Sequence, residues 1–309
     1  MVKEFFARGK LLISGEYLVL DGARALALPL TVGQLLVSSE SDDDMIHWRS
    51  YKSVCERYEL WNSSDFDLNL LPQNIDRYTG YVYNLLNGVL ELKKNAFSSG
   101  INLDFYLDFG PELGLGSSST LIYNLAKLFE ICPFKLLEQV SVGSGYDIAC
   151  AGADYPIIYG MADGSPNIER AKFNPSFKDN LYFAYLGKKV DTKDAINYYL
   201  NHLVPVNKLV EEVSLLTDEF VKSSDLMSFE KVMIEHEKLI SKSLELDRIK
   251  DLRFKDYWGE IKSLGAWGGD FVLITSEENY FKTRSYFEGR GCSSFSCYQD
   301  LVYESKNPK

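Results

Sequence analysis

The sequence predicts an α/β half followed by an α+β half, and three observations carry that prediction. Residues 101–109 place an apolar side chain at every odd position, the alternation of a strand with one buried face. The loop Pro111-Glu112-Leu113-Gly114-Leu115-Gly116-Ser117-Ser118-Ser119-Thr120 follows, and then Leu121, Ile122, Leu125, Ala126, Leu128 and Phe129 recur at helical spacing. Beyond Asn174-Pro175 the predicted elements run strand, helices, strand, helix, strand, which is the order of an α+β sandwich.

Taken in order, Phe5-Phe6-Ala7 opens the chain, Arg8-Gly9-Lys10 reads as a turn, and residues 11–14 read as a strand. Asp21-Gly22 is a tight turn, and residues 25–30 and 34–38 are two further strands. Ser41-Asp42-Asp43-Asp44 is a solvated loop without metal-ligand spacing. The aromatic-rich segment 47–61, with Trp48, Tyr51, Tyr58 and Trp61, reads as strand packing ahead of an adenine border. Residues 76–94 form a helix with Tyr78, Val82, Leu85, Leu86, Val89 and Leu92 on one face. Pro133 breaks the pattern before a short helix at 135–139. The second module has a strand at 181–186, a helix from Asp191-Thr192 to about 203, and helices at 206–222 and 229–244. A glycine loop at 265–270, a strand at 271–275, a helix at 277–288 and a closing strand at 295–302 complete it. The domains expected are therefore 1–175 and 176–309.

Composition narrows the function classes. The chain has 309 residues, 46% hydrophobic and 25% charged, ordinary for a globular protein. A net charge of −11 argues against nucleic acid or an anionic membrane as partner. No apolar run approaches the roughly 20 residues a bilayer span needs. Residues 1–6 lack the h-region of a signal peptide. Cys55, Cys132, Cys150, Cys292 and Cys297 form no C-x-x-C pair, so reduced thiols in a cytoplasm are expected and a zinc site is not.

The loop at 111–120 carries the chemistry. Glycines let the backbone approach an oxyanion, and a helix N-terminus offers outward amides and a positive dipole end. A serine hydroxyl at 117–119 is expected to cap that helix. The segment fits neither G-x-x-x-x-G-K-[ST] nor G-x-G-x-x-G, because no Lys follows Gly116 and Ser119 stands at the third Gly.

Four segments together resemble the GHMP kinase superfamily. Residues 7–17, Ala-Arg-Gly-Lys-Leu-Leu-Ile-Ser-Gly-Glu-Tyr, resemble its opening motif. Residues 111–119 resemble its phosphate-binding motif P-x-x-G-L-G-S-S, and 264–271 its third, glycine-rich motif. Gly143-Ser144-Gly145-Tyr146-Asp147 resembles the region carrying the catalytic Asp in the mevalonate and phosphomevalonate kinase branch. The run Gly-Tyr-Asp-Ile-Ala at 145–149 is similar to a bacterial subgroup named for it. Gly15-Glu16-Tyr17 and Gly268-Gly269-Asp270 lean toward the phosphomevalonate kinase form. The resemblance spans residues 7–271, in family order.

It implies a two-domain fold, the N-terminal domain of ribosomal protein S5 domain 2 type and the C-terminal domain ferredoxin-like. It implies ATP and Mg²⁺ as cofactors and a small-molecule substrate, with a homodimer as the assembly considered. The acceptor is a hydroxyl or phosphate compound, phosphomevalonate ahead of mevalonate, in isoprenoid precursor synthesis. By the same resemblance Lys10 and Asp147 are catalytic, Lys10 lying beside Asp147, and Gly114, Leu115, Gly116, Ser117, Ser118 and Ser119 bind ATP. Ser118 is the Mg²⁺ ligand. Glu16 either orients Lys10 or contacts the acceptor, and Gly145, Gly265, Gly268 and Gly269 shape the floor of the site. Lys188 and Lys189 either hold a substrate phosphate or form a solvated pair, the second reading being preferred.

Departures from the pattern are as specific. Arg8 stands where the family has Pro, and Trp267 replaces a small residue, where it is expected to narrow the space near the phosphates or acceptor. The interval from Gly116 to Asp147 is short. It abbreviates the region that carries a metal-binding Glu, and neither Glu130 nor Glu138 aligns with that residue. An ATP-dependent decarboxylase of the same superfamily and a non-catalytic nucleotide-binding homologue are the competing readings. Lys10 disfavours the first.

Overall fold

The computed structural model describes residues 1–67, 76–141, 143–162, 164–187, 206–265, 267 and 270–305. They form two compact units. One comprises Met1–Gly9, Val32–Pro111 and Leu115–Gly152; the other comprises Lys10–Thr31, Glu112–Gly114 and Ala153–Lys309. Strands β1 (Lys3–Leu12) and β2 (Ala25–Glu40) each contribute residues to both.

In the first unit β3 (Ile46–Val54) and β4 (Arg57–Phe66) form a hairpin, and the sheet order is β4-β3-β5-β2, with β5 at Ile101–Leu107. Cys55 and Glu56 both take positive φ, 47° and 65°, which matches the turn to the right-handed twist of its strands. β3 runs parallel to β5, whereas β2 is antiparallel to it. Helices α1 (Arg77–Leu92), α2 (Ser117–Phe129), α3 (Pro133–Val140) and α4 (Tyr146–Ala151) belong to this unit. Asp76 caps α1, its side chain accepting from the amides of Tyr78 and Thr79. The apolar stripes of α1 and α2 share one core with the inner sheet face, where Trp48 stacks on Phe105 at 4.3 Å.

In the second unit Ala25–Ala27 of β2 pair with β6 (Ile157–Ala162), which pairs with β7 (Ser165–Arg170). A separate antiparallel sheet contains β8 (Leu181–Tyr185), β9 (Ile261–Leu264), β10 (Phe271–Thr275) and β11 (Ser294–Cys297) in the order β11-β8-β10-β9. Helices α5 (Val206–Lys222), α6 (Leu226–Leu244) and α7 (Ile249–Arg253) separate β8 from β9, and α8 (Tyr280–Glu288) separates β10 from β11. This strand order and alternation are those of a ferredoxin-like fold.

Several expectations are corrected. Arg8-Gly9-Lys10 is no turn, because β1 runs unbroken through it. Residues 25–40 are one strand, not two, and it passes Gly33, where a Cβ would stand 2.2 Å from Ala7 O. The closing strand stops at Cys297, where the short helix α9 (Tyr298–Leu301) begins. The helix expected at 191–203 lies outside the described residues.

Candidate active site

The glycine loop is built by two left-handed residues. A 3₁₀ turn at Pro111–Leu113 leads into Gly114, φ 72°, and Gly116, φ 97°, is the N-cap of α2. At Gly114 the positive φ favours glycine, and a Cβ there would also stand 2.9 Å from Asp270 Oδ2, which would have to shift. No side chain caps α2. The serine cap expected from the sequence is replaced by hydroxyls turned into the helix: Ser119 Oγ donates to Gly116 O at 2.8 Å and Thr120 Oγ1 to Ser117 O at 3.0 Å. The first-turn amides, at the positive end of a 13-residue helix, are therefore not taken by a capping side chain.

Within the first unit three chemical groups cluster near that helix end. Ser118 is exposed, and its Oγ lies 2.7 Å from Tyr81 Oη on α1. Burial pushes the Tyr81 phenol up to about 12; the Ser118 hydroxyl opposes this and the charge of Asp147 adds to it. Asp147 sits in the first turn of α4, behind the left-handed Gly145 (φ 87°), and its Oδ1 accepts from the Ile148 amide at 3.0 Å. Gly145 is buried, while the Asp147 side chain keeps partial exposure.

Within the second unit Lys10 Nζ donates to Gly114 O at 2.9 Å. Asp270, φ 54° and 8% exposed, directs its carboxylate at Gly114 and at Gly265. Its own carbonyl accepts from the Leu186 amide at 2.8 Å. An ammonium and a carboxylate thus both meet the first glycine of the phosphate-type loop.

Glu16 is placed otherwise than expected. It is 2% exposed, its Oε1 accepts from Lys262 Nζ, and its Oε2 lies 3.3 Å from His236 Nε2. Burial raises its pKa, and the Lys262 charge and hydrogen bond pull it back. Trp267 is also corrected. Its indole is 8% exposed and packs with Leu18, Ala23, Val213, Ile240 and Leu244, with Nε1 donating to Asp247 O at 3.1 Å. The ring is a core residue rather than an obstruction beside the phosphates.

Gly265 is left-handed at φ 74°. Gly268, Gly269, Lys188 and Lys189 lie outside the described residues. Glu130 caps the far end of α2, roughly 18 Å along the helix from Ser118, and Glu138 is exposed on α3. Among the described residues no group of three or more His, Cys, Asp or Glu side chains could hold a metal.

The fold recurs in solved structures. Methanococcus jannaschii mevalonate kinase superposes with a TM-score of 0.71 at 16% identity, over 99% of this chain and 98% of that one. L. major mevalonate kinase in complex with R-mevalonate gives 0.68 at 14% identity, over 99% and 97%. Streptococcus pneumoniae phosphomevalonate kinase, in complex with phosphomevalonate and AMPPNP, gives 0.69 at 16%, over 96% and 99%. The chain has the GHMP kinase fold. No family model and no curated protein matches by sequence.

Sequence reasoning did not single out three residues that contact the predicted ones, Asp270 at Gly114, Lys262 at Glu16 and Tyr81 at Ser118. Asp270 had a signal, its place at the end of the third motif. Lys262 had one too, as a charge inside the otherwise apolar-flanked strand Ile261-Lys262-Ser263-Leu264. Tyr81 had none, because its contact with Ser118 joins two helices distant in sequence.

Proposed function

We propose that this protein is an ATP-dependent small-molecule kinase that transfers the γ-phosphate to a hydroxyl or phosphate acceptor, phosphomevalonate first and mevalonate second. The observation that carries the reading is the N-terminus of α2, uncapped by any side chain and entered through two left-handed glycines. Residues 1–175 are the proposed nucleotide-binding half and 176–309 the other domain. The amides of 114–119 hold ATP phosphates. Phosphoryl transfer relies on positioning and charge neutralisation more than on covalent chemistry. Asp147 orients the acceptor and takes its proton, Lys10 offsets the charge on the moving phosphoryl group, and Gly145, Gly265, Gly268 and Gly269 leave room on the floor.

The chain's donors suit Mg²⁺, which keeps several waters and takes few protein ligands. Ser118 would hold it, and when bound it neutralises phosphate charge. Among the structural neighbours, complexes with R-mevalonate and with phosphomevalonate support those two acceptors, and one with galactose keeps a sugar in the panel.

ADP release should be measured with mevalonate, phosphomevalonate, galactose and homoserine. Turnover is expected with one of the first two. Asp147→Asn should lower kcat by at least ~10²-fold, the contribution of a general base, and Lys10→Ala by a comparable factor. Unchanged turnover in Asp147→Asn removes that assignment. CO₂ release from diphosphomevalonate points to the decarboxylase, and nucleotide binding without transfer to any acceptor to a non-catalytic homologue.

A further inference from the structure

A second polar cluster lies buried in the same unit as Lys10. Glu16, His236, Glu237, Lys262 and Ser263 are each 2% exposed or less. Lys262 Nζ donates to Glu16 Oε1 and, at 3.0 Å, to Ser263 O; the Ser263 amide donates to Glu237 Oε1 at 3.1 Å. An ammonium with no solvent access is held by geometry, since removing either partner leaves an uncompensated buried charge.

What the pair fixes is the turn beside it. Gly15 has φ 88°, and a Cβ there would stand 2.6 Å from Ala25 Cβ. Tyr17 has φ 60°, a left-handed conformation that a non-glycine residue keeps only when its surroundings impose it. Glu16 lies between these two positive-φ residues and is tied at Oε1 to Lys262, while the Gly15 amide donates to His236 Nε2 at 3.4 Å. The strained turn aims Tyr17 Oη at the Trp267 amide, which donates to it at 2.6 Å. Trp267 is the middle of the segment 265–270, and its indole is anchored in the core and on Asp247 O.

We propose that Tyr17 is a positioning residue for the backbone at Trp267, held at its positive φ by the buried Glu16–Lys262 pair. It grips the backbone of Trp267 from outside while the indole grips it from within. Glu16, read from sequence as orienting Lys10 or contacting the acceptor, acts instead through Tyr17. Asp270, three residues on, presents its carboxylate to Gly114. The inference extends the kinase reading, and its first readout needs no catalysis.

Amide hydrogen exchange at Trp267 should be compared in wild type, Tyr17→Phe and Lys262→Met. Tyr17→Phe keeps the ring and removes the acceptor, so exchange at Trp267 should accelerate about tenfold while α6 and β10 keep their protection. Lys262→Met should accelerate the same amide, and combining it with Tyr17→Phe should add nothing further there. With the wild-type acceptor identified, Tyr17→Phe should lower kcat severalfold with little change in the KM for ATP. Unchanged Trp267 exchange in Tyr17→Phe overturns the proposal. So does faster exchange spread evenly over the unit, which would make the cluster purely structural. If Lys262→Met does not fold, Tyr17→Phe alone decides. A failed kinase reading would appear differently, as no ADP release from wild type with the exchange result intact.

Discussion

At the scale of single residues, the buried cluster has a consequence for stability. Glu237 is fully buried, and burial pushes its pKa from 4.5 up to about 8, with Lys262 and Arg248 pulling it down and Glu16 pushing it further up. Below the ordinary carboxylate value both folded and unfolded chains carry the proton, and the group gives its full contribution to stability. Between 4.5 and about 8 the unfolded chain ionises while the folded chain does not. Stability is therefore lost as pH rises through that window, by at most ~5 kcal/mol from this group, and is flat above it. Glu237→Gln should remove the slope, gaining on wild type in denaturant titrations as pH is raised from about 5 to about 8. A wild type and variant with parallel pH profiles would show that Glu237 is ionised in the folded protein. His236 works in the opposite sense, because burial and then Lys262 hold its pKa well below 6.5 and keep the ring neutral. No local pattern revealed this cluster, since Glu16 and Lys262 are 246 positions apart and neither marks the other as its partner.

At the scale of elements, the loop and α2 were readable because their signals are local. The alternation of 101–109, two glycines, four hydroxyl residues and a one-sided apolar helix all fall within one stretch of chain. The hydroxyls were misread in one respect, as caps, because a serine at a helix start satisfies the same pattern whether it caps or folds back onto Gly116 O. The β3–β4 hairpin was blurred by a register shift between Ser50 and Tyr51, and β7 is exposed along its whole length, so it has no alternation to read. β2 was split in two because Pro29 and Gly33 punctuate a strand that pairing nevertheless carries through. The conformation of Gly116 makes a direct test. With φ 97° at the N-cap, Gly116→Ala should destabilise by about 1–2 kcal/mol in urea titrations. It should also weaken nucleotide binding, since the first-turn amides shift with the cap. Wild-type stability in that variant would mean that the loop relaxes to φ below zero without cost.

At the scale of the whole molecule, fold class followed from element order, whereas the topology of each sheet did not. The 4-1-3-2 type arrangement β11-β8-β10-β9 depends on which strands pair at long range, and strand propensity is silent on that. Charge was readable throughout, and it leads to a measurement on the intact protein. The chain carries −11 at pH 7, so its long-range field opposes the approach of a nucleotide, whatever the proposed contacts at the α2 N-terminus and at Lys10 add at short range. Screening acts first on the distant charges, because the Debye length falls from about 30 Å at 0.01 M salt to about 10 Å at 0.1 M. Contacts closer than 3 Å, such as Lys10 on the loop carbonyl, lie well inside that length. The association rate of a fluorescent ATP analogue should therefore rise as salt increases over that range, rather than fall as it does for proteins that steer anions inward. Lys10→Ala should slow association at every salt concentration but keep the upward slope, because the slope comes from the other charges. A rate that falls with salt in the wild type would mean that a local basic surface dominates the approach path despite the acidic total.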